Sequence, residues 1–424
     1  MMAIFFSIAV FVSALTFSVG IIFGIINHIF ISFVYTVLIS AVASSLIWMN
    51  LKNYVFISPY FIAFLALCNH GGILIGFLIA SGPDYLLWPV DAMNHHLQNA
   101  INFSSWLTDG ESIEFLNENP FKKIYISNMW VGAFFSFLGV YPASSGFAMA
   151  VIKIVTIILI YEAALILTKN KWISSSAAAI YALIPTVTFY TIQFYKDFFI
   201  QFIVALVVYI IFKFRTKFIA IILMTLPLLI LAIDRFYLAI IILISYSLYY
   251  FIEQKNIVKN LFITSFGIFI SILIYYYYFN NRSLADLFQI ISDFTDSHNN
   301  SLDSTPTTFF LFDLIRITFT PFFNSYKLDN YSGFDSLLIF GGFIHQILIL
   351  FYFKGLWMYR KKTLTIINIS VLFLLIILGL IMPFDGRARD SLYPLISIFA
   401  AIGISAFIAK ANDYRRGKIE KSKD

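Results

Sequence analysis

Asp91, Asn94, His95 and Gln98 recur at intervals of three and four residues, the spacing that gathers side chains on one face of a helix. The chemistry open to such a face is general-base catalysis. The Asp91 carboxylate can take the proton of an attacking hydroxyl, and His95 can orient that carboxylate or pass the proton on. The plainer reading makes Asp91 a helix cap and leaves His95 and its neighbour His96 at an interface. Adjacent histidines point in different directions on a helix, so a zinc site shared by the two is not expected.

A second group is basic. Lys196, Arg235, Arg387 and Arg389 each stand close in sequence to an acid: Asp197, Asp234, Asp385 or Asp390. One reading pairs each cation with its neighbour. The other makes them a clamp for a lipid-linked phosphate, because the arginine fork matches phosphate oxygens and placed positive charge stabilises a phosphate leaving group. No cofactor is implied. A divalent metal is compatible with the chemistry, but the acids are too scattered to suggest a ligand set.

The elements that must carry these residues are set by composition. Of 424 residues, 60% are hydrophobic and only 12% charged, with a mean hydropathy of +0.87. Soluble domains hold roughly 25% charged residues, so an all-α polytopic membrane protein is expected. Cys68 is the single cysteine, which excludes a disulfide framework and a thiolate metal cluster. The N-terminal apolar stretch lacks a basic lead and a small-residue cleavage site, and is read as a retained span.

Apolar segments fall at 3–26, 29–49, 54–80, 147–168, 174–194, 198–212, 218–233, 236–252, 261–279, 336–353, 363–382 and 391–409. That makes about 12 spans. One set of linkers holds 18 of the 28 Lys and Arg residues, and the opposite set holds 17 of the 22 acids. The positive-inside rule then places both termini in the cytoplasm. The alternation holds only if the short apolar stretch at 128–140 does not cross, so a re-entrant or interfacial helix is expected there.

This organisation divides the chain into five parts. Three N-terminal spans occupy 1–80. A first periplasmic loop with the Asp91 helix and the short re-entrant helix occupies 81–146. Central spans fill 147–279, a second periplasmic loop fills 280–335, and three spans with a basic tail complete 336–424. The stretch from Asp293 to Thr308 is rich in Ser, Asn, Asp and Thr and reads as a loop. Lys153, within a span, is expected to snorkel outward or join the basic group. Glu162 and His345 are read as packing residues. Asp313, Arg316 and Lys327 are read either as substrate contacts or as part of an interfacial helix.

The order of these features resembles a family. An outer loop opens on an Asp-led helix, and a short apolar helix ends in Phe137-Leu138-Gly139. A long span, a basic turn and an Ala-rich span with Pro185 follow, and Lys196-Asp197 precedes the next span. This resembles the GT-C-fold membrane glycosyltransferases that use polyprenyl-phosphate sugars. The resemblance covers roughly 84–212, and 383–405 by pattern. It implies Asp91 as catalytic base or acceptor-positioning group, and Asp197 as the later outer acid. It also implies that Gly386-Arg387-Ala388-Arg389, ahead of Tyr393-Pro394-Leu395, is the basic element near the final span. Ala92 stands where the family has a second acid, His95 where it has tyrosine, and two further spans precede the loop. A neighbouring resemblance is to the O-antigen polymerases, whose outer arginines grip lipid-pyrophosphate glycans; Asp234-Arg235-Phe236-Tyr237 would serve there. Either resemblance implies a polyprenyl-phosphate or polyprenyl-pyrophosphate glycan as partner, and no nucleic acid. A flippase or transporter is the reading from another class. It calls for mid-membrane charges and internal repeats, whereas most charges here lie at span ends and no repeat is evident.

Overall fold

A computed structural model describes residues 7, 10–11, 13–15, 28–81, 96–109, 126–192, 196–215, 217–253, 335–359 and 390–420. Among these residues the chain is all-helical, without strands. In chain order the helices are α1 His28–Leu51, α2 Pro59–Ser81, α3 Gln98–Asp109, α4 Ile126–Leu138, α5 Pro142–Thr168, α6 Lys171–Leu183, α7 Pro185–Ile192, α8 Lys196–Phe214, α9 Phe218–Glu253, α10 Asp335–Tyr359 and α11 Tyr393–Glu420. Among the described residues four stretches are long and apolar enough to cross a membrane: Phe33–Leu51, Ala143–Thr168, Asp197–Phe214 and Tyr393–Lys410. The expected spans at 261–279 and 363–382, most of 3–26 and nearly all of the 280–335 loop lie outside the described residues.

The apolar surface is turned outward as well as inward. On α9, Phe218, Ile222, Leu226 and Leu229 are exposed one turn after another. On α10, Phe343, Ile347, Leu350 and Trp357 form a second stripe. Water would penalise such stripes, whereas hydrocarbon accepts them and forbids unpaired backbone. Both helices supply what a bilayer-facing helix requires.

At the centre lies α6, buried from Ser174 to Leu183. Its serines and alanines are short enough to let neighbouring helices approach closely. Asn170 caps its start, accepting hydrogen bonds from the backbone N–H groups of Trp172 and Ile173. Its end is set by Pro185, which cannot donate to the helix ladder and pushes the preceding residue out of helical geometry. Ile184 accordingly sits at φ −65° and ψ 126°. The span expected over 174–194 is therefore two helices, α6 and α7, with a break between them.

The 36 residues of α9 are two helices as well. A straight helix would carry Tyr246 about 42 Å from Phe218 at 1.5 Å per residue. Instead the Tyr246 hydroxyl donates to the carbonyl of Arg215, at 2.8 Å. The chain reverses at Arg235, which has non-helical dihedrals (φ −152°, ψ 74°). The two expected segments, 218–233 and 236–252, thus run antiparallel with Asp234-Arg235 at the turn.

Helices α10 and α11 run in the same direction. His345 meets the Tyr393 ring edge-on with centroids 5.6 Å apart, and further along Phe351–Gly355 crosses Phe399–Gly403. There the backbones touch: a Cβ on Gly355 would lie 2.0 Å from the Phe399 carbonyl oxygen, and one on Gly403 2.0 Å from that of Phe351. A parallel course is what one intervening crossing over 363–382 would require.

Candidate functional site

The helix directions divide the molecule into two ends. At one end, the α1–α2 turn is tied to the α5–α6 turn. The Asn50 amide donates to Ser176 Oγ at 2.9 Å and accepts from Ile57 N, while the Ser175 hydroxyl donates to the Ile57 carbonyl. This end also carries Lys52, Lys169, Lys171, Lys213, Arg215 and Lys217. Aromatic rings accompany them: Lys52 lies 4.8 Å from the Trp48 centroid, Lys171 4.9 Å from Phe56 and Lys213 5.0 Å from Tyr209. Lysines and aromatics in one belt mark a membrane–water boundary.

The opposite end holds the first candidate site. Asp197 lies in the first turn of α8 and Arg235 at the reversal of α9. The Arg235 guanidinium donates to the Asp197 carboxylate, bridging 38 positions of sequence. Asp197 is 2% exposed. The acid that Arg235 meets is thus one distant in sequence. Helix geometry is the cause: α8 descends from Asp197 to the basic end, and the first half of α9 climbs back to the same level. An acid in the first turn of a helix also meets the positive pole of its dipole, so Asp197 is held from two sides. Lys196 begins α8. Asp91, His95, Arg387 and Arg389 lie outside the described residues, as do Asp313, Arg316 and Lys327. Asp390, directly after Arg389, is 2% exposed, and Tyr393 three residues on is fully buried. The Tyr393 hydroxyl lies 3.1 Å from that of Thr186, which donates to it. The start of α11 is thereby joined to the first turn of α7.

The structure sets His96, read from the sequence as an interface residue, against residues that the sequence did not single out. His96 packs against Asn128, with Nδ1 3.1 Å from the amide oxygen. Ser127 and Asn128 are fully buried in the first turn of α4. The α3 and α4 helices run in parallel, with Gly132 so close to α3 that a Cβ would lie 2.5 Å from the Ala100 carbonyl oxygen. Helix α4 docks on the first turns of α5, where Trp130 Nε1 donates to the Ala148 carbonyl at 2.9 Å. It has 13 residues, about 20 Å at helical rise, which is short for a crossing.

A second polar cluster lies in the middle of the bundle. Lys153 is 1% exposed, so it does not snorkel outward. Its ammonium nitrogen lies 3.1 Å from Thr188 Oγ1 on α7. The Asn69 amide donates to the same oxygen at 3.2 Å, and the Tyr35 hydroxyl donates to Asn69 at 2.7 Å. His70 Nε2, one residue along α2, donates to the Gly146 carbonyl at 2.8 Å. A lone lysine in an apolar run gives no sequence signal of such a network. The Asn69-His70 pair in the facing span was the available clue.

An apolar cleft of about 340 Å³ opens between α1, the α6–α7 break, α10 and α11. Ser44, Trp48, Pro185, Ile347, Phe351 and Phe407 are among its walls. No family model matches this chain, and neither the curated proteins nor the solved structures contain a significant match to it. Fold and sites together define an all-helical chain with bilayer-facing apolar stripes, an ion pair at one end and a buried polar centre.

Proposed function

We propose that this protein is a membrane glycosyltransferase of cell-envelope polysaccharide assembly, taking a sugar from a polyprenyl-linked donor on the periplasmic face. The observation that carries the reading is the meeting of Asp197 and Arg235 at the end opposite the lysine–aromatic belt. With that belt cytoplasmic, as the positive-inside rule directs, the pair lies at the outer surface, at the depth of a lipid phosphate. The inner membrane of a bacterium, with both termini cytoplasmic, is the corresponding location.

In this mechanism Asp91 removes the proton of the acceptor hydroxyl, with His95 orienting it, and the hydroxyl oxygen bonds to the sugar carbon. The bond from that carbon to the phosphate oxygen breaks, and the electron pair leaves with the phosphate. Arg235 takes up the developing charge together with Lys196, Arg387 and Arg389, and Asp197 fixes the guanidinium plane. The cleft beside the α6–α7 break, lined by apolar side chains, suits an isoprenoid tail. An O-antigen polymerase would use the same groups on a lipid-pyrophosphate repeat unit. A flippase or transporter is the second reading, favoured by the buried Lys153 beside a broken helix, a combination found along membrane pathways.

The purified protein in nanodiscs, supplied with a lipid-linked sugar donor, tests the chemistry. Asp91→Asn abolishes transfer while the protein stays inserted, and Arg387→Ala or Arg389→Ala weakens use of the donor. Full activity in Asp91→Asn removes that residue from the mechanism, and unchanged donor affinity in the arginine variants removes the clamp.

A further inference from the structure

The apolar cleft between α1, the α6–α7 break, α10 and α11 has a direction. Leu183, in its wall, stands twelve residues beyond Lys171 along α6. At helical rise that is about 18 Å, near the middle of a hydrocarbon layer of about 30 Å. On α1 the wall runs from Ser40 to Trp48, and Trp48 carries Lys52 over its ring at 4.8 Å. The cleft thus runs from mid-membrane to the lysine–aromatic boundary. Apart from Ser40 and Ser44 its side chains are hydrocarbon or aromatic. A volume of about 340 Å³ takes at most one hydrocarbon chain.

Positive charge collects where the cleft meets that boundary. Three of its wall helices each carry a lysine within about a turn of a wall residue: Lys52 four residues after Trp48, Lys354 three after Phe351 and Lys410 two after Ile408. Lys354 and Lys410 are exposed. No acid interrupts 40–52, 344–354 or 404–410. A slot for one chain with cations at its mouth can hold a lipid by tail and head together. Contact with the walls retains the chain, and the cations select the headgroup. We infer that this cleft binds an anionic phospholipid of the leaflet on the lysine–aromatic side. One acyl chain lies between α1, α10 and α11, and the phosphate faces Lys52, Lys354 and Lys410. An isoprenoid tail fits the same walls, but a carrier whose phosphate lies at the Asp197–Arg235 end brings no charge to this mouth. The lysines therefore decide for the phospholipid. This inference does not depend on the glycan reading.

Native mass spectrometry of the full chain, released from bilayers of equal phosphatidylglycerol and phosphatidylcholine with matched acyl chains, tests this. The wild type is expected to retain one phosphatidylglycerol in preference to phosphatidylcholine by about five-fold or more, the scale of a single lysine at a membrane surface. Lys52→Gln, Lys354→Gln and Lys410→Gln together are expected to bring the two lipids to parity. Ala43→Phe, which fills the cleft from its α1 wall, is expected to abolish retention of either. The glutamine changes leave the cleft walls untouched, so they carry the test if Ala43→Phe fails to insert. Equal retention by the wild type overturns the inference, as does a preference that survives the triple variant or the filled cleft. Polyprenyl phosphate, added in equal amount and retained ahead of phosphatidylglycerol, would give the cleft to an isoprenoid tail and overturn it as well.

Discussion

Arg235 pairs with Asp197, a residue 38 positions away that sequence proximity did not offer. Each basic residue of the outer group has an acid beside it, and adjacency alone gave Asp234 as partner to Arg235. The reversal at Arg235 brings it to Asp197. Removing one partner of a buried pair leaves an uncompensated charge, at a cost of about 3–5 kcal/mol, whereas replacing both with apolar groups can be neutral. Arg235→Ala alone is therefore expected to lower the melting temperature of the purified protein sharply. Asp197→Leu combined with Arg235→Met is expected to recover most of the loss and to remain inactive, since the clamp on the carrier phosphate then lacks its central cation. A double variant no more stable than the single would show that the pair does not act as a buried unit. Lys153 teaches a related lesson. The expectation of snorkelling rested on its distance from the end of an apolar run. Burial depends instead on which neighbours surround it, and those come from α2 and α7, 84 and 35 positions away at Asn69 and Thr188 respectively.

At the scale of the elements, the apolar runs of the sequence located α1, α5, α8 and the start of α11 closely, because a bilayer demands long apolar helices and little else resembles them. The proline break within 174–194 was legible in Pro185 but not its consequence, a half-helix whose hydroxyls are spent on Lys153 and Tyr393. The hairpin at Asp234-Arg235 was also legible, since two charges between apolar runs cannot stay in hydrocarbon. The close crossing of α10 and α11 was not. Gly355 and Gly403 are far apart in sequence, and only the packed pair shows that neither has room for a side chain. Any substitution there must push two backbones apart. Gly355→Leu and Gly403→Leu are each expected to destabilise by at least the 1–3 kcal/mol or so typical of overpacking, seen as a lower melting temperature in detergent. Unchanged melting would mean that the two helices do not cross at those glycines.

For the molecule as a whole, charge distribution and fold agree on two unlike ends. Lysines stacked on Trp48, Phe56 and Tyr209 hold one boundary, and Asp197 with Arg235 occupies the other. The residues proposed for catalysis, Asp91 and His95, and the further arginines, Arg387 and Arg389, join that outer end by sequence reasoning. Their convergence on Arg235 is the central claim. The most direct measurement is the length ladder of surface polysaccharide in a strain lacking this gene, complemented with either the wild-type chain or the stable Asp197→Leu/Arg235→Met double variant. The wild type is predicted to restore the full ladder. The double variant is predicted to leave it as in the deletion, either collapsed to a core bearing one repeat unit, as a polymerase requires, or shifted in mobility by one missing sugar, as a single-sugar transferase requires. A ladder unaltered by the deletion, or fully restored by the double variant, would contradict the account.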